Sequence, residues 1–594
     1  MARRILRMRM MDVEDLLSEL PEEVIHHIMY SLPTLEATRM SVLSKRFFSM
    51  WRSLPVIDFD LDQLRSHYSA KDLIDFVVRS LERRRNYGVL QRLRVSSVRG
   101  YDDNDDKSLL IKDMLESVIN FAIRNKTEEL DLDYSTTRKP FYLLPMPIKS
   151  LLFSSKCLKS LRLGNIYFGG HYNLILTCPL IEDLKLRRCI GLKSIEITSA
   201  AQLIRAVNFT DCASLESIRI EPHSSLQSFT CKCSGHEYYH VSCDTNFNLA
   251  SLESLKHLHL VSVNITDEWL DYHVSRFVGL ESLVLEDCRK IKNILITGEN
   301  NKSLRKFVFR CRTTPSDANV RIAAPSIEHL RIDDDGYPAK LNISGCKSTL
   351  RSLCLTLCTV NDEWIRKNLS GFRSLEKFRF RGRSVKVPLF EKAKHKLYFD
   401  SLKELDLGSE LLLSSELEIE APNLESITYT PFRGIDADSA PLRLICPNLT
   451  DARLSLQRFG KNLDDPVLHK ILIELLRSFG HCKTCSLFVY PPILDKFQFS
   501  EHERKTLIPP LYEVKHLIVS SSSISPKDVP WLVDTSLWLV PHPETVSFKL
   551  HENNHNMITE IKKRKIVYLV APPFLLNVGD IVYLKLHGRT WMTA

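Results

Sequence analysis

Residues that could bind a metal ion cluster in one short stretch of the chain: Cys231, Cys233, His236, His240 and Cys243. Thiolate and imidazole are ligands that Zn²⁺ prefers, and four of these five residues could in principle hold one ion. Their spacing is not that of a recognised zinc finger, and cysteines occur throughout the chain, 15 of them in 594 residues. We therefore predict no metal site here and no other cofactor.

A second pair of thiols, Cys482 and Cys485, forms a C-x-x-C motif beside His481. A redox or metal site on this motif needs a second cysteine pair or a thioredoxin-like strand–turn–helix, and the sequence offers neither. The phosphate-binding motif G-x-x-x-x-G-K-[ST], the dinucleotide motif G-x-G-x-x-G and the hydrolase motifs G-x-S-x-G and H-E-x-x-H do not occur. These observations predict a protein that is not an enzyme.

The amino-acid composition narrows the classes of protein to which the chain could belong. A content of 44% hydrophobic and 26% charged residues is typical of a folded chain that is neither disordered nor membrane-embedded. The net charge of +9 is modest for this length, so we expect no nucleic-acid partner. No apolar run reaches the roughly 18 residues that cross a bilayer, so we expect no membrane association.

A pattern of the form L-x-x-L-x-L organises most of the chain. The first residues of its last seven occurrences lie 22 to 27 residues apart, which is the period of leucine-rich repeats. Each copy predicts one short strand with its apolar residues facing inward, and stacked copies predict a parallel sheet on the concave side of a solenoid. The eleven copies begin at Leu90, Leu158, Ile181, Ile204, Leu280, Leu304, Ile327, Leu350, Leu375, Leu402 and Leu424.

Cysteines recur eight residues after the first apolar position of four repeats, where such repeats favour Asn or Cys to turn the chain inward. We therefore predict that these cysteines are buried packing residues rather than ligands. They are Cys189, Cys212, Cys288 and Cys358.

The second half of the repeats is irregular. Residues 267–277 predict a helix that recurs 95 residues later, whereas residues 192–197 and 291–296 predict additional strands. Helices are also predicted at 71–85, 109–124 and 464–479, with terminal strands near Leu517 and Phe548. The fold class is thus mixed α/β.

A short apolar segment, Asp15 to Trp51, precedes the repeats. Ser18 is a candidate N-cap for a helix in which Val24, Ile25, Ile28 and Met29 recur at helical spacing. Pro33 ends that helix, and the apolar residues that follow predict one or two more. Because a segment this short rarely folds alone, it must pack against a partner or against neighbouring parts of the chain.

In its motifs Leu20-Pro21, Leu32-Pro33-Thr34, the SVLSKR run at 41–46 and Trp51, this segment resembles the F-box of plant F-box/leucine-rich-repeat proteins. It departs from that family at Glu22, where Asp is frequent, and at Phe47, where Trp is frequent. The resemblance implies docking onto a Skp-type adaptor and, through it, onto a cullin–RING ubiquitin ligase. The adaptor-facing apolar residues that it implies are Leu20, Pro21, Ile28, Leu32, Leu43 and Trp51.

The resemblance implies a substrate-recognition subunit that captures an unidentified protein for ubiquitination. The 15 cysteines without a secretory leader predict a reducing compartment, so we expect the protein in the cytoplasm, the nucleus or both. Two alternatives remain open at this point. The chain could be a leucine-rich scaffold that binds protein without ubiquitin transfer, or the apolar segment could be a helical hairpin that only caps the repeats.

The residue between the last two apolar positions of each strand points away from the core, because side chains alternate along a strand. Basic residues are frequent at this position, and one hypothesis is that they form a surface for an acidic or phosphorylated target. The alternative is that these side chains are solvated or paired with neighbouring carboxylates. The candidate residues are Arg162, Lys185, Arg219, Arg331 and Arg379.

The predicted domains follow in chain order. They are a basic leader at 1–11, the F-box at 12–55, a helix and strand connection at 56–125, the solenoid at 126–460, a C-terminal cap at 461–550 and a tail of undetermined structure at 551–594.

Overall fold

The computed structural model describes most of the chain from residue 19 to residue 591. The described ranges are 19–61, 68–84, 89–96, 105–133, 150–212, 215–221, 225–233, 246–249, 252–288, 290–299, 301–311, 319–334, 340–356, 364, 369–382, 394–409, 416–430, 442–456, 465–490, 497–521, 529–552, 555–562, 565–570, 584–586 and 589–591. The chain divides into two compact units, Met1–Lys290 and Ile291–Ala594.

Three short helices open the first unit: α1 (Glu22–Ser31), α2 (Thr34–Ser41) and α3 (Lys45–Ser53). Prolines occupy the N-cap positions of α1 and α2, because a fixed φ near −65° suits the entry to a helix, whereas Ser44 caps α3 by accepting from the Phe47 N–H. The predicted cap at Ser18 is therefore wrong for α1, which begins at Glu22; Ser18 itself lies outside the described residues.

A parallel sheet follows, in which nine described strands pair one after another in chain order. They are β1 (Val56–Asp60), β2 (Arg92–Ser96), β3 (Glu129–Asp133), β4 (Ser160–Gly164), β6 (Asp183–Arg187), β8 (Ala206–Thr210), β10 (Ser228–Lys232), β12 (His257–Val261) and β13 (Ser282–Glu286).

The second halves of the repeats form a smaller parallel sheet in the first unit, together with helices. Its strands are β5 (Tyr167–Leu176), β7 (Ile190–Ile197), β9 (Ser217–Ile220) and β11 (Asn246–Asn248). The helices are α4 (Ala70–Arg83), α5 (Asp105–Arg124) and α6 (Asp267–Val274). Ser69 and Asp72 form a capping box at α4.

The second unit repeats this plan with ten parallel strands among the residues described. They are β15 (Lys306–Cys311), β17 (His329–Asp334), β19 (Ser352–Thr356), β20 (Lys377–Gly382), β22 (Glu404–Ser409), β24 (Ser426–Tyr429), β26 (Asp451–Leu456), β27 (Thr484–Val489), β28 (His516–Ser521) and β29 (Thr545–Glu552).

Short elements complete the second unit. Two small parallel sheets comprise β14 (Asn293–Thr297), β16 (Asn319–Ala323) and β18 (Lys340–Asn342), and β21 (Lys394–Tyr398), β23 (Glu416–Glu420) and β25 (Leu442–Ile445). The helices are α7 (Asp465–Arg477), α8 (Glu501–Thr506) and α9 (Val529–Leu539). After β29 come the antiparallel strands β30 (His555–Lys562) and β31 (Lys565–Val570), then β32 (Leu584–Leu586) and β33 (Arg589–Trp591).

The structure confirms all eleven predicted repeat strands and the mixed α/β fold of a leucine-rich-repeat solenoid. It also confirms the predicted burial of Cys189, Cys212 and Cys288, none more than 3% exposed; Cys358 lies outside the described residues. Each of these three thiols donates to the carbonyl of the last apolar residue in the main-sheet strand of the preceding repeat. Their role is to satisfy the backbone where the chain turns inward.

No helix in the described ranges is long and apolar enough to cross a membrane.

Candidate functional site

The three N-terminal helices share one small core, which we call the helical module (residues 19–54). Its buried residues are Ile25, Met29, Ala37, Phe47, Met50, Trp51 and Leu54, with Leu20, Leu32, Met40 and Phe48 packed against them. The Trp51 indole N–H donates to the Thr38 hydroxyl at 3.1 Å, so even the polar atom of this large ring is satisfied inside the module.

The helical module is joined to the repeats by specific contacts. The Thr34 hydroxyl in α2 accepts a hydrogen bond from the Asp58 N–H of β1 at 2.8 Å. The Arg84 guanidinium, next to the end of α4, lies 4.0 Å from the centre of the Trp51 ring. Arg84 is 2% exposed and its side-chain nitrogens have no hydrogen-bond partner. The module and the first repeats therefore pack as one body within the first unit.

The predicted adaptor-facing residues divide into three groups by exposure. Leu43 is 64% exposed, and Pro21 is also exposed. Leu20, Ile28 and Leu32 are half-buried.

Trp51, by contrast, is 1% exposed and belongs to the core of the module. The family resemblance implied a place on the adaptor-facing surface, and the sequence of the segment does not reveal which neighbour covers the Trp51 ring. The turn between α2 and α3 presents Val42, 77% exposed, which sequence reasoning missed. The sequence signal for this exposed surface was the pair of consecutive apolar residues Val42 and Leu43 at the end of a helix.

We call the side of each main sheet that carries the outward-pointing strand residues the strand face. In the first unit the described strand face carries six Lys or Arg and seven Asp or Glu side chains. The basic residues are Arg92, Arg94, Arg162, Lys185, Arg187 and Lys232; the acidic ones are Asp58, Asp60, Glu129, Asp131, Asp133, Asp183 and Glu286.

Two of the predicted substrate-binding residues lie in a ladder of ion pairs on this face. Arg162 lies 3.2 Å from Asp183 and 3.9 Å from Asp131, and Lys185 lies 3.4 Å from Asp183. Burial raises the pKa of Asp131, while Arg162 and Arg94 oppose that rise. Opposite charges thus alternate from strand to strand and balance one another.

Arg219 was assigned to the wrong face. It lies on β9, in the small sheet with β7 and β11, where it is 3.7 Å from Glu196. The strand of that repeat in the main sheet is β8, whose outward central residue is Asn208. Leu215, Ile218 and Ile220 also fit L-x-x-L-x-L, so the motif alone does not distinguish the two halves of a repeat.

The strand face of the second unit is more basic, with seven Lys or Arg against four Asp or Glu among the described side chains. The basic residues are Lys306, Arg310, Arg331, Lys377, Arg379, Arg381 and Arg453; the acidic ones are Asp333, Glu404, Asp406 and Asp451. Arg331 pairs with Asp333 at 2.7 Å, and Arg379 pairs with Asp406 at 2.7 Å. These two predicted residues therefore lie on the outward face, as expected.

A polar cavity of about 390 Å³ lies at the start of β20, β22, β24 and β26. Its lining residues are Glu376, Ser401, Lys403, Asn423, Glu425 and Asn448. Glu376 lies 3.7 Å from both Lys403 and Arg351. The cavity is therefore lined by polar side chains and by charges of both signs.

The thiols with potential chemistry are packing residues. Cys482 and Cys485 are at most 1% exposed and occupy the first and second apolar positions of the repeat that forms β27, while Cys231 occupies the third apolar position of β10. The hydrogen bond with Cys482 raises the pKa of Cys485, as does burial. No group of three or more potential metal ligands occurs among the described residues; His236, His240 and Cys243 lie outside them.

Comparison with known proteins agrees with this arrangement. Residues 17–58 match the F-box domain family. The chain is similar to a putative FBD-associated F-box protein of Arabidopsis thaliana, 31% identical over 193 residues, which cover 29% of this chain and 39% of that protein. It is also similar to an F-box/LRR-repeat protein of the same plant, 30% identical over 29% of this chain and 43% of the relative. The matched part thus spans less than half the length of these relatives.

Proposed function

We propose that this chain, which carries an F-box domain, is the substrate-recognition subunit of a Skp–cullin–F-box ubiquitin ligase. The helical module docks onto a Skp-type adaptor, and the leucine-rich repeats bind the protein to be ubiquitinated. The observation that carries the proposal is the F-box match at residues 17–58, which coincides with a module that keeps its own core and leaves apolar side chains exposed.

Exposed apolar side chains are what a docking module needs, because a few aliphatic or aromatic anchors supply most of the binding energy of an interface. In the helical module Val24, Tyr30, Val42 and Leu43 are between 42% and 77% exposed. We assign the adaptor contact to these residues together with Pro21, Leu20, Ile28 and Leu32. Trp51 supports the contact from the core by holding α2 and α3 together.

In this role the chain itself catalyses no reaction. It brings lysines of the bound target close to a charged conjugating enzyme, so that ubiquitin transfer proceeds at a high effective concentration.

The test is reconstitution with a recombinant plant Skp-type adaptor and cullin. Full-length chain should co-purify with the adaptor in equal amounts, and the double variant Leu20→Ala, Pro21→Ala should lose about 2–4 kcal/mol of binding free energy while its repeats stay folded. If the chain is instead a scaffold without ubiquitin transfer, neither the wild-type chain nor the double variant should capture the adaptor. Wild-type chain that fails to bind several plant adaptors would overturn the proposal.

A further inference from the structure

Four neighbouring strands of the second unit, β20, β22, β24 and β26, carry an unusual arrangement of arginines. Asp406 on β22 accepts from two arginines of β20 at once. Arg379 Nε lies 2.7 Å from Asp406 Oδ2, while Arg381 approaches both carboxylate oxygens, with Nε 3.3 Å from Oδ1 and Nη2 2.9 Å from Oδ2.

This pairing holds both guanidiniums in place without cancelling their charge. The Asp406 side chain is 13% exposed, whereas those of Arg379 and Arg381 are 50% and 40% exposed. Arginine has five N–H donors, so each of the two retains donors that Asp406 does not accept. Within the described ranges neither arginine has a second carboxylate partner.

A third arginine, Arg453, lies in the same row as Arg379 and Asp406. The strand register places Arg379, Asp406, Thr428 and Arg453 side by side on consecutive strands. Arg379 and Arg453 are therefore separated by about 14 Å, three spacings between neighbouring strands. Arg453 is exposed and pairs with no carboxylate in the part of the chain that the structure describes.

The floor between these arginines is open and polar. Thr428 contributes a half-buried hydroxyl, and Gly408, two residues after Asp406 on β22, has no side chain. Arg381 lies two residues after Arg379 on β20, beside Gly408, so the two adjacent rows together hold three guanidiniums and one carboxylate, a net charge of +2. A phosphorylated side chain carries about −1.5 to −2 and three strong acceptor oxygens, so it matches this charge, whereas a single carboxylate does not.

We propose that Arg379, Arg381, Thr428 and Arg453 form a binding site for a phosphorylated Ser or Thr in an extended segment of the target protein. The proposal rests on the proposed function, because it assumes that the repeats capture a protein. Planar guanidinium groups bind phosphate oxygens through paired hydrogen bonds, and such charge-assisted bonds are stronger than neutral ones. Because Asp406 has already fixed two of the planes, less conformational entropy is lost on binding.

Other basic residues do not provide the same site. On the first unit the charges of the strand face balance, as the ladder around Arg162 shows. Arg310 and Arg331 also share one aspartate, Asp333, but both make further interactions besides that pair. We therefore place phosphate recognition at β20–β26.

The test uses the full chain, with and without added adaptor, and two immobilised libraries of randomised nonapeptides, which differ only in a central phosphoserine or serine. Wild-type protein should be retained by the phosphoserine library. The variants Arg379→Gln and Arg453→Gln should each lower the affinity for a selected phosphopeptide about tenfold, because each removes charge-assisted hydrogen bonds. Arg381 stays paired with Asp406 in both variants, so their melting temperatures should match that of the wild type.

Arg162→Gln and Lys403→Gln are the matched controls, since they remove a charge from the balanced ladder and from the polar cavity. Both should bind the phosphopeptide like the wild type. Equal retention of wild type by the two libraries, or unchanged affinity in the Arg379→Gln, Arg453→Gln double variant, would overturn the site. So would inorganic phosphate that competes with the phosphopeptide at equal concentration, because the site would then bind free phosphate as well as it binds the target.

The same preparations separate this proposal from the previous one. If the wild-type chain binds the adaptor but shows no preference for the phosphoserine library, the phosphate site is overturned and the proposed role in a ubiquitin ligase is not. Failure to bind the adaptor, with the phosphoserine preference intact, overturns the assignment to a ubiquitin ligase but leaves the phosphate site standing.

Discussion

Truncation of Leu43 should weaken adaptor binding without weakening the fold. Leu43 lies in the turn between α2 and α3 and is 64% exposed, so its side chain contributes little to the module's own core. Full burial of a leucine side chain is worth about 1.5–3 kcal/mol, and roughly two thirds of that remains to be gained when a partner covers it. Leu43→Ala should therefore cost about 1–2 kcal/mol of binding.

In an equilibrium measurement this loss corresponds to a rise in the adaptor Kd of about 5- to 30-fold. Isothermal titration of the purified chain with recombinant Skp-type adaptor would measure it directly. Leu151→Ala is the matched control, because Leu151 is also a leucine of the first unit and is 60% exposed, but it lies outside the helical module. The control should bind the adaptor like the wild type.

The result that would refute this reasoning is specific. If Leu43→Ala bound the adaptor with unchanged Kd and melted like the wild type, the α2–α3 turn would not be part of the docking surface. If Leu151→Ala weakened binding to the same degree, the loss would report a general effect of removing exposed apolar surface.

Three further outcomes are expected. Cys189, Cys212 and Cys288 should resist iodoacetamide in the native chain and react in denaturant, as mass spectrometry would show; rapid native labelling of all three would contradict their burial. Burial raises the pKa of Glu503, but hydrogen bonds from Ser500 and His469 lower it further, from an ordinary 4.5 to about 2. Ionised Glu503 should therefore add up to a few kcal/mol to the free energy of unfolding above pH 4.5, and this contribution is lost as the pH falls toward 2. Glu503→Gln should accordingly lower the melting temperature at pH 7 more than at pH 3, and an equal loss at both would contradict the pairing. Burial lowers the pKa of Arg84 to about 9, because the charged guanidinium is desolvated. Arg84→Met removes that charge but keeps contact with the Trp51 ring, so it should not lower the melting temperature. Arg84→Ala removes the contact as well and should lower it.

The sequence predicted the repeat strands well because their inward positions must be apolar at a fixed spacing, and burial enforces both requirements. It missed the strands in which cysteine replaces leucine, since Cys482 and Cys485 matched a chemical motif as readily as a repeat. Arg219 was misassigned because alternation along a strand is identical in the main and the small sheet. The spacing of only 11 residues from Ile204 to Leu215 was the signal that this strand belongs to the second half of a repeat.

The candidate site was less predictable because it depends on pairing across strands. Which arginines lie beside which carboxylates follows from the register, and the register is set by turns and loops whose lengths vary from repeat to repeat. Arg453 was not among the predicted residues because its repeat has Ala452 at the second apolar position instead of a larger residue. Similarly, the burial of Trp51 depends on Arg84, which covers its ring from 33 positions later in the chain.

The hydrogen bond from the Asp58 N–H to the Thr34 hydroxyl has a consequence for truncated forms of the protein. Among the described residues β1 pairs with one strand, β2, and its other edge lies against α2. A chain shortened to begin near residue 55 would expose that edge, and uncovered edge strands recruit other chains by strand addition. A shortened chain should therefore self-associate, and its failure to act in cells would reflect aggregation as well as the missing adaptor contact. Point substitutions such as Leu43→Ala avoid this complication because they leave α2 in place over β1.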